Sequence, residues 1–226
     1  MSHETQERLD KHHRGAQFHD VMVSSFEGRF DDSFWSFWQQ HVGDHHGDAP
    51  TYVDLGCGPG LMLRAWRQRF PNAQLHGVEL QPYMLATARA IAKEVDGTIH
   101  AADLQTLVLD LPDHSVDAAL LSMVVHEMGE PVGLMREIKR VLKPGGRLVL
   151  MDWVRVPLSQ YLERFDGNVF EVEADARVRR FDHFMEHNKF SRDDLLFILS
   201  QTGFTACHEE ARGGGQFIRL VLTTEA

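Results

Sequence analysis

A chain of 226 residues, 43% of them apolar, fits one domain with a sizeable core and room for a short appendage. Its formal charge of −10, from 33 acidic against 23 basic residues, argues against nucleic acid or a membrane surface as partner, because Lys and Arg hold phosphate backbones. Two cysteines are too few for a disulfide framework; with a polar N-terminus and no apolar run long enough to span a bilayer, they point to the cytoplasm.

In chain order, residues 1–48 are polar and amphipathic and read as an N-terminal helical cap of two helices, the second behind an N-cap at Asp31 or Asp32. Its aromatics Phe34, Trp35, Phe37 and Trp38 read as core packing. The run Asp44-His45-His46-Gly47-Asp48 has metal-ligand residue types. It sits in a polar loop composition just before a strand, however, and no metal is expected there. From residue 50 short apolar runs alternate with helical segments. Thr51–Leu55 reads as strand, 61–70 as helix, Gln74–Glu79 as strand, and Pro82–Glu94 as helix with Pro82 in its first turn. Strands follow at 98–102 and Val116–Ser122, the latter apolar enough to be buried on both faces. A helix at 131–142 stops at Lys143-Pro144-Gly145-Gly146, and 147–154 is strand. The basic clusters at 136–140 and 177–180 are short and mixed, as on solvated helix faces.

This alternation argues for a mostly parallel sheet covered by helices, formed by a core at 50–156. Beyond it the pattern breaks. Residues 157–190 are charged and aromatic and read as an insertion capping the carboxyl ends of the strands. Ser191 then caps a helix through Gln201 that Gly203 ends. Strands at 205–210 and 216–223, joined through Arg212-Gly213-Gly214-Gly215, form an antiparallel hairpin. All 226 residues are thus read as one domain, with 191–226 supplying the last helix and the hairpin.

The informative segment is Val53-Asp54-Leu55-Gly56-Cys57-Gly58-Pro59-Gly60, which follows a strand and opens a helix. Backbone N–H groups and a helix N-terminus then face any ligand, and glycines allow its close approach. A dinucleotide fingerprint needs a further glycine where Leu61 stands, and Asp54 would repel phosphate while attracting an ammonium group. Glu79 ends the second strand, where a carboxylate can accept from both hydroxyls of a ribose. Asp103 follows the third strand and is placed to accept from an exocyclic adenine amine. Three acids at the ends of three successive strands, beside a glycine loop, form a pattern that no one of them would make alone.

These segments, with Gly77-Val78-Glu79-Leu80, Ala102-Asp103-Leu104 and Leu142-Lys143-Pro144-Gly145-Gly146-Arg147-Leu148, resemble the successive motifs of class I S-adenosylmethionine-dependent methyltransferases. The resemblance covers roughly residues 50 to 155 and is greatest to the small-molecule branch with the ubiquinone and menaquinone enzymes. It implies a Rossmann-like, doubly wound α/β fold of seven strands ending in an antiparallel hairpin, with S-adenosylmethionine as cofactor and S-adenosylhomocysteine as product. It also implies cofactor contacts from Asp54, Gly56, Cys57, Gly58, Gly60, Glu79, Leu80, Met84, Asp103, Leu104 and Ser122. The Gly56–Gly60 loop would hold the methionine part. Met84 lies where such enzymes place an apolar side chain near the adenine; it is equally a core residue of its helix.

The fourth strand ends in Ser122-Met123-Val124-Val125-His126-Glu127-Met128, which in the family passes under the transferring methyl group. His126 or Glu127 could serve as general base for an oxygen, nitrogen or sulfur nucleophile, or His126 could only shape the pocket while Glu127 caps the next helix. Trp153 could stack on a flat acceptor or lie in the core. The insertion offers Tyr161, Arg164, Phe181, His183, His187 and Asn188 as substrate contacts, and nothing in the sequence ranks them. Two competing readings are a cofactor-binding protein without methyl transfer and an NAD-dependent oxidoreductase; Leu61 and Asp103 argue against the second.

Overall fold

The computed structural model describes residues 17–106, 108–165 and 168–224. Seven strands form one sheet: β1 (Thr51–Leu55), β2 (Gln74–Glu79), β3 (Thr98–Ala101), β4 (Val116–Ser122), β5 (Leu142–Trp153), β6 (Phe204–Arg212) and β7 (Phe217–Thr224), in the order β3-β2-β1-β4-β5-β7-β6. The five strands from β3 to β5 pair in parallel, and β7 runs antiparallel to both β5 and β6. The expected α/β architecture is therefore present. The strand order reverses between β1 and β4, and in open α/β sheets that crevice is where ligands bind.

Side chains alternate between two apolar layers, as the two-residue period of a strand requires. Val53, Leu55, Leu121, Leu148 and Leu150 meet Leu134 and Ile138 of α6 (Val132–Val141) and Leu195 and Leu199 of α9 (Arg192–Gln201). On the other face, Tyr52, Leu120, Val149 and Met151 meet Leu63 and Trp66 of α4 (Leu61–Arg69) and Ala88 and Ala92 of α5 (Pro82–Glu94).

That second layer also contains Phe34 and Trp38 of α3 (Asp32–His41), both fully buried, so the aromatic stripe is core. Asp31 is its N-cap and accepts from the Phe34 N–H. Each such ring contributes about 2–3 kcal/mol by leaving water. The reading of 1–48 as a two-helix cap is modified accordingly: α3 belongs to the sheet's covering layer. Ahead of it, α1 (Gln17–Ser24) and the short α2 (Phe26–Arg29) are separated at Ser25, and residues 1–16 lie outside the described residues.

The strand predicted from 147 starts earlier. β5 begins at Leu142 and carries Lys143-Pro144-Gly145-Gly146 within it, because the register shifts between Val116↔Leu142 and Ala118↔Arg147 and a bulge absorbs the extra residues. The insertion holds α7 (Leu158–Leu162) and α8 (Ala174–His187) around a small core of Val156, Tyr161 and Phe184. The C-terminal end of α8 reaches the ends of β4 and β5, where His187 meets the rings of His126 and Trp153.

Candidate active site

At the carboxyl ends of β1, β2 and β4, and beside the end of β3, a cavity of about 260 Å³ opens. Asp54, Gly56, Cys57, Gly58, Glu79, Leu80, Met84, Asp103, Leu104, Ser122, His126 and Glu127 all line it. Gly60, Trp153 and His183 do not.

The glycine loop folds over β2. The N–H groups of Gly56 and Cys57 both donate to the Val78 carbonyl, at 2.9 Å each. Glu79 closes the arrangement: Oε2 accepts from the Gly58 N–H at 2.8 Å, and Oε1 from Leu80 and Gln81 at 2.7 Å each. A carboxylate has about four lone-pair sites, so three are committed to backbone and bidentate ribose binding would displace at least one. The two glycines differ in cause. Gly58, at φ 53°, has open space where a Cβ would stand. Gly60, at φ 84°, would place a Cβ 3.1 Å from the Ala88 backbone, so it is required by the packing of α4 on α5.

Buried polar atoms are normally paired. Among the described residues, eleven buried side-chain nitrogen and oxygen atoms have no partner, and five of these belong to residues lining this cavity. They are Arg29 Nε, both Gln81 amide atoms, Asp103 Oδ2 and Ser122 Oγ. Such a set fits a polar ligand with a base and a zwitterionic end. Burial pushes the Asp54 carboxyl up to about 7, with Arg29 opposing the rise and Glu79 adding to it. Burial also lowers the Arg29 guanidinium, against the pull of Asp54. Arg29 enters from α2 together with Phe26, and α1 adds Phe18 and Met22. The sequence reading missed this arginine, because one Arg in an amphipathic polar segment carries no signal of which strand end it will face.

The other end of the cavity is built on β4 and β5. Met123, just past β4, sits at φ 61°, a left-handed conformation that costs a non-glycine residue about 1 kcal/mol or more. Asp152, fully buried, accepts from three successive N–H groups there: Val124 at 3.1 Å, Val125 at 2.6 Å and His126 at 3.3 Å, all to Oδ2. Its Oδ1 accepts from His126 Nδ1 at 2.5 Å and from the Trp153 N–H at 2.7 Å. Burial opposes a charge on His126, but the carboxylates of Asp152 and Glu127 outweigh it and raise the imidazole above its ordinary value.

His187, one of six unranked candidates, lines the cavity and stacks on His126 at 5.1 Å between centroids. His183 stacks behind it at 3.9 Å, takes Tyr161 as hydrogen-bond partner at 2.7 Å, and is pushed down to about 4 by burial and then by His187. Trp153 packs edge-on against His187 and Phe217.

Residues 53–150 match the family model described as a methyltransferase domain. A demethylmenaquinone methyltransferase of Thermus thermophilus is 30% identical over 109 residues, covering 48% of this chain and 50% of the relative. A trans-aconitate 2-methyltransferase of an Azoarcus species is 35% identical over 103 residues, covering 46% and 39%. The chain spans half the length, or less, of the first curated relatives it matches. Among solved structures, geranyl diphosphate C-methyltransferase from Streptomyces coelicolor superposes with a TM-score of 0.64 at 18% identity, over 93% of this chain and 84% of that one. The cyclase SpnF gives 0.65 at 18% identity, over 86% and 82%. The glycine loop lies inside the stretch that the methyltransferase-domain model matches, and the seven-stranded sheet has the fold of the solved methyltransferase structures.

Proposed function

We propose that the chain is an S-adenosylmethionine-dependent methyltransferase acting on a small molecule. The observation that carries this reading is the collection of five unpartnered buried polar atoms around one cavity, beside a glycine loop that Glu79 clasps. Asp54 and Arg29 would hold the ammonium and carboxylate of the methionine part, Glu79 the ribose, and Asp103 Oδ2 the adenine amine. Gly56, Gly58 and Cys57 would wall the methionine part, Leu80, Met84 and Leu104 the nucleoside, and Ser122 the floor near the reacting centre. Gly60 serves this site through the position of α4.

When bound, the cofactor supplies an already activated methyl group, so the chain's task is alignment and exclusion of water. Phe18, Met22 and Phe26 on one side and His187 on the other would shield the transfer and admit the acceptor by opening. His126 is the proposed base, with Glu127 beside it at 3.8 Å. Trp153 and His183 support His187 from behind and would act on the acceptor through it. No helix among the described residues is long and apolar enough to cross a membrane. We place the enzyme in the cytoplasm, without nucleic-acid partners.

A second reading keeps the cofactor and drops methyl transfer; the similarity to a cyclase in the same fold favours keeping it in view. Calorimetric titration with S-adenosylmethionine, S-adenosylhomocysteine and NAD separates the readings. Binding of the first two alone is expected, and binding of NAD alone would overturn the proposal. Cofactor binding without methyl transfer to any acceptor in a broad small-molecule panel would favour the second reading.

A further inference from the structure

Asp152 has a role that its position in β5 alone does not explain. It is fully buried and absent from the cavity lining, yet it receives five N–H contacts, four from backbone and one from the His126 ring. The backbone contacts fix the turn that carries His126. The ring contact fixes the imidazole itself. Nδ1 points at a buried carboxylate outside the cavity, while Nε2, on the far side of the ring, lies 3.8 Å from Oε1 of Glu127, a residue that lines the cavity with His126.

We infer that Asp152 is a positioning residue that holds His126 as the Nδ1–H tautomer, making Nε2 the base for an acceptor hydroxyl on a flat, apolar body. The inference rests on the methyltransferase reading and narrows its acceptor. An amine already carries a free lone pair when neutral and needs no base before attack. A carboxylate is ionised beforehand and would approach Glu127 and Glu79, which line the same cavity. A weakly acidic hydroxyl, phenol- or enol-like, is the class that gains from a base poised by a buried carboxylate. The body of the acceptor would lie among Phe18, Met22, Phe26, Met123 and the His187 ring.

The step balances. The hydroxyl oxygen bonds to the methyl carbon as the carbon–sulfur bond breaks and its electron pair stays on sulfur. The hydroxyl proton passes to Nε2, and the resulting imidazolium is paired with Asp152 until it returns the proton to water. The charged and titratable groups around the ring are Asp152 from β5, Glu127 from the same turn, His183 and His187 of α8, and Lys189 just beyond it.

The test uses 15N-histidine NMR of the full chain with S-adenosylhomocysteine, the His126 signal being identified by its loss in His126→Gln. The expected spectrum shows Nδ1–H and an Nε2 titration above ordinary histidine, which falls by about one unit or more in Asp152→Asn. An Nε2–H tautomer in the wild type, or a titration unmoved by Asp152→Asn, overturns the positioning role. In parallel, methyl transfer is measured to naphthol, aniline and benzoate. Naphthol is the expected acceptor, with turnover in Asp152→Asn reduced about 100-fold and S-adenosylhomocysteine affinity kept. Transfer to aniline or benzoate with naphthol inert overturns the hydroxyl assignment. Failure of S-adenosylhomocysteine to bind strikes at the cofactor reading instead, and the imidazole titration still decides the role of Asp152.

Discussion

At the end of the cavity bordered by β1, β2 and β3, the acids and glycines stand at or just beyond strand termini: Asp54 and Gly58 around β1, Glu79 closing β2, Asp103 after β3. At the other end, the groups that meet come from α1, the turn after β4, the end of β5 and the last turn of α8. His126 and Asp152 are 26 residues apart in sequence, and His126 and His187 are further still. The first end is set by topology, because a parallel strand delivers its carboxyl terminus to one side of the sheet. The second depends on how an insertion and an N-terminal helix dock. The difference teaches where specificity can change without loss of the site proposed for the cofactor.

The largest effect that would break this comparison lies at Asp54. Its carboxyl moves from 3.8 to about 7, a shift worth roughly 4 kcal/mol once fully ionised. The raised folded value means that the folded state holds the proton more tightly. Stability should therefore be highest below the unfolded value and decline as pH rises from about 4 to about 7. Asp54→Asn is expected to flatten that decline in urea titrations and to weaken S-adenosylhomocysteine binding at pH 8. An identical pH slope in both proteins would remove the electrostatic account of this end.

A smaller effect separates two glycines of one loop. Gly60→Val combines a positive φ with a backbone contact at Ala88 and should cost about 3 kcal/mol, read as a fall in Tm. Gly58→Ala should cost about 1 kcal/mol in stability yet lose most S-adenosylhomocysteine affinity, because Gly58 lines the cavity and its Cβ would meet no protein atom, only the space proposed for the cofactor. Equal losses of stability would merge the two roles.

The smallest effect tests the independence of the end proposed for the acceptor. His187→Ala removes a ring stacked on His126 and His183 and should lower stability by about 1 kcal/mol, with cofactor affinity unchanged within about twofold. A large loss of cofactor affinity would show that the two ends are coupled through α8.

Read from residues alone, the β1–β4 alternation, the glycine loop and the strand-end acids emerged because each depends on local periodicity or on spacing along one strand and turn. β5 was placed too late, because a bulge opposite Val116 let Lys143-Pro144-Gly145-Gly146 continue a ladder where composition signals a stop. The aromatic stripe of α3 is legible as core packing, but its partners are not: burial of Trp38 against Tyr52 and Trp66 places α3 in the sheet's covering layer rather than in a cap.

The sequence by itself determined the sheet, the loop and the acids that face its crevice, since these follow from backbone geometry acting over short distances. Only the tertiary structure decided that Arg29 faces Asp54, that Asp152 grips His126, and that His187 rather than His183 borders the cavity. Those pairings join distant parts of the chain through hydrogen bonds, charge and ring contacts, and no local pattern encodes which partners will meet.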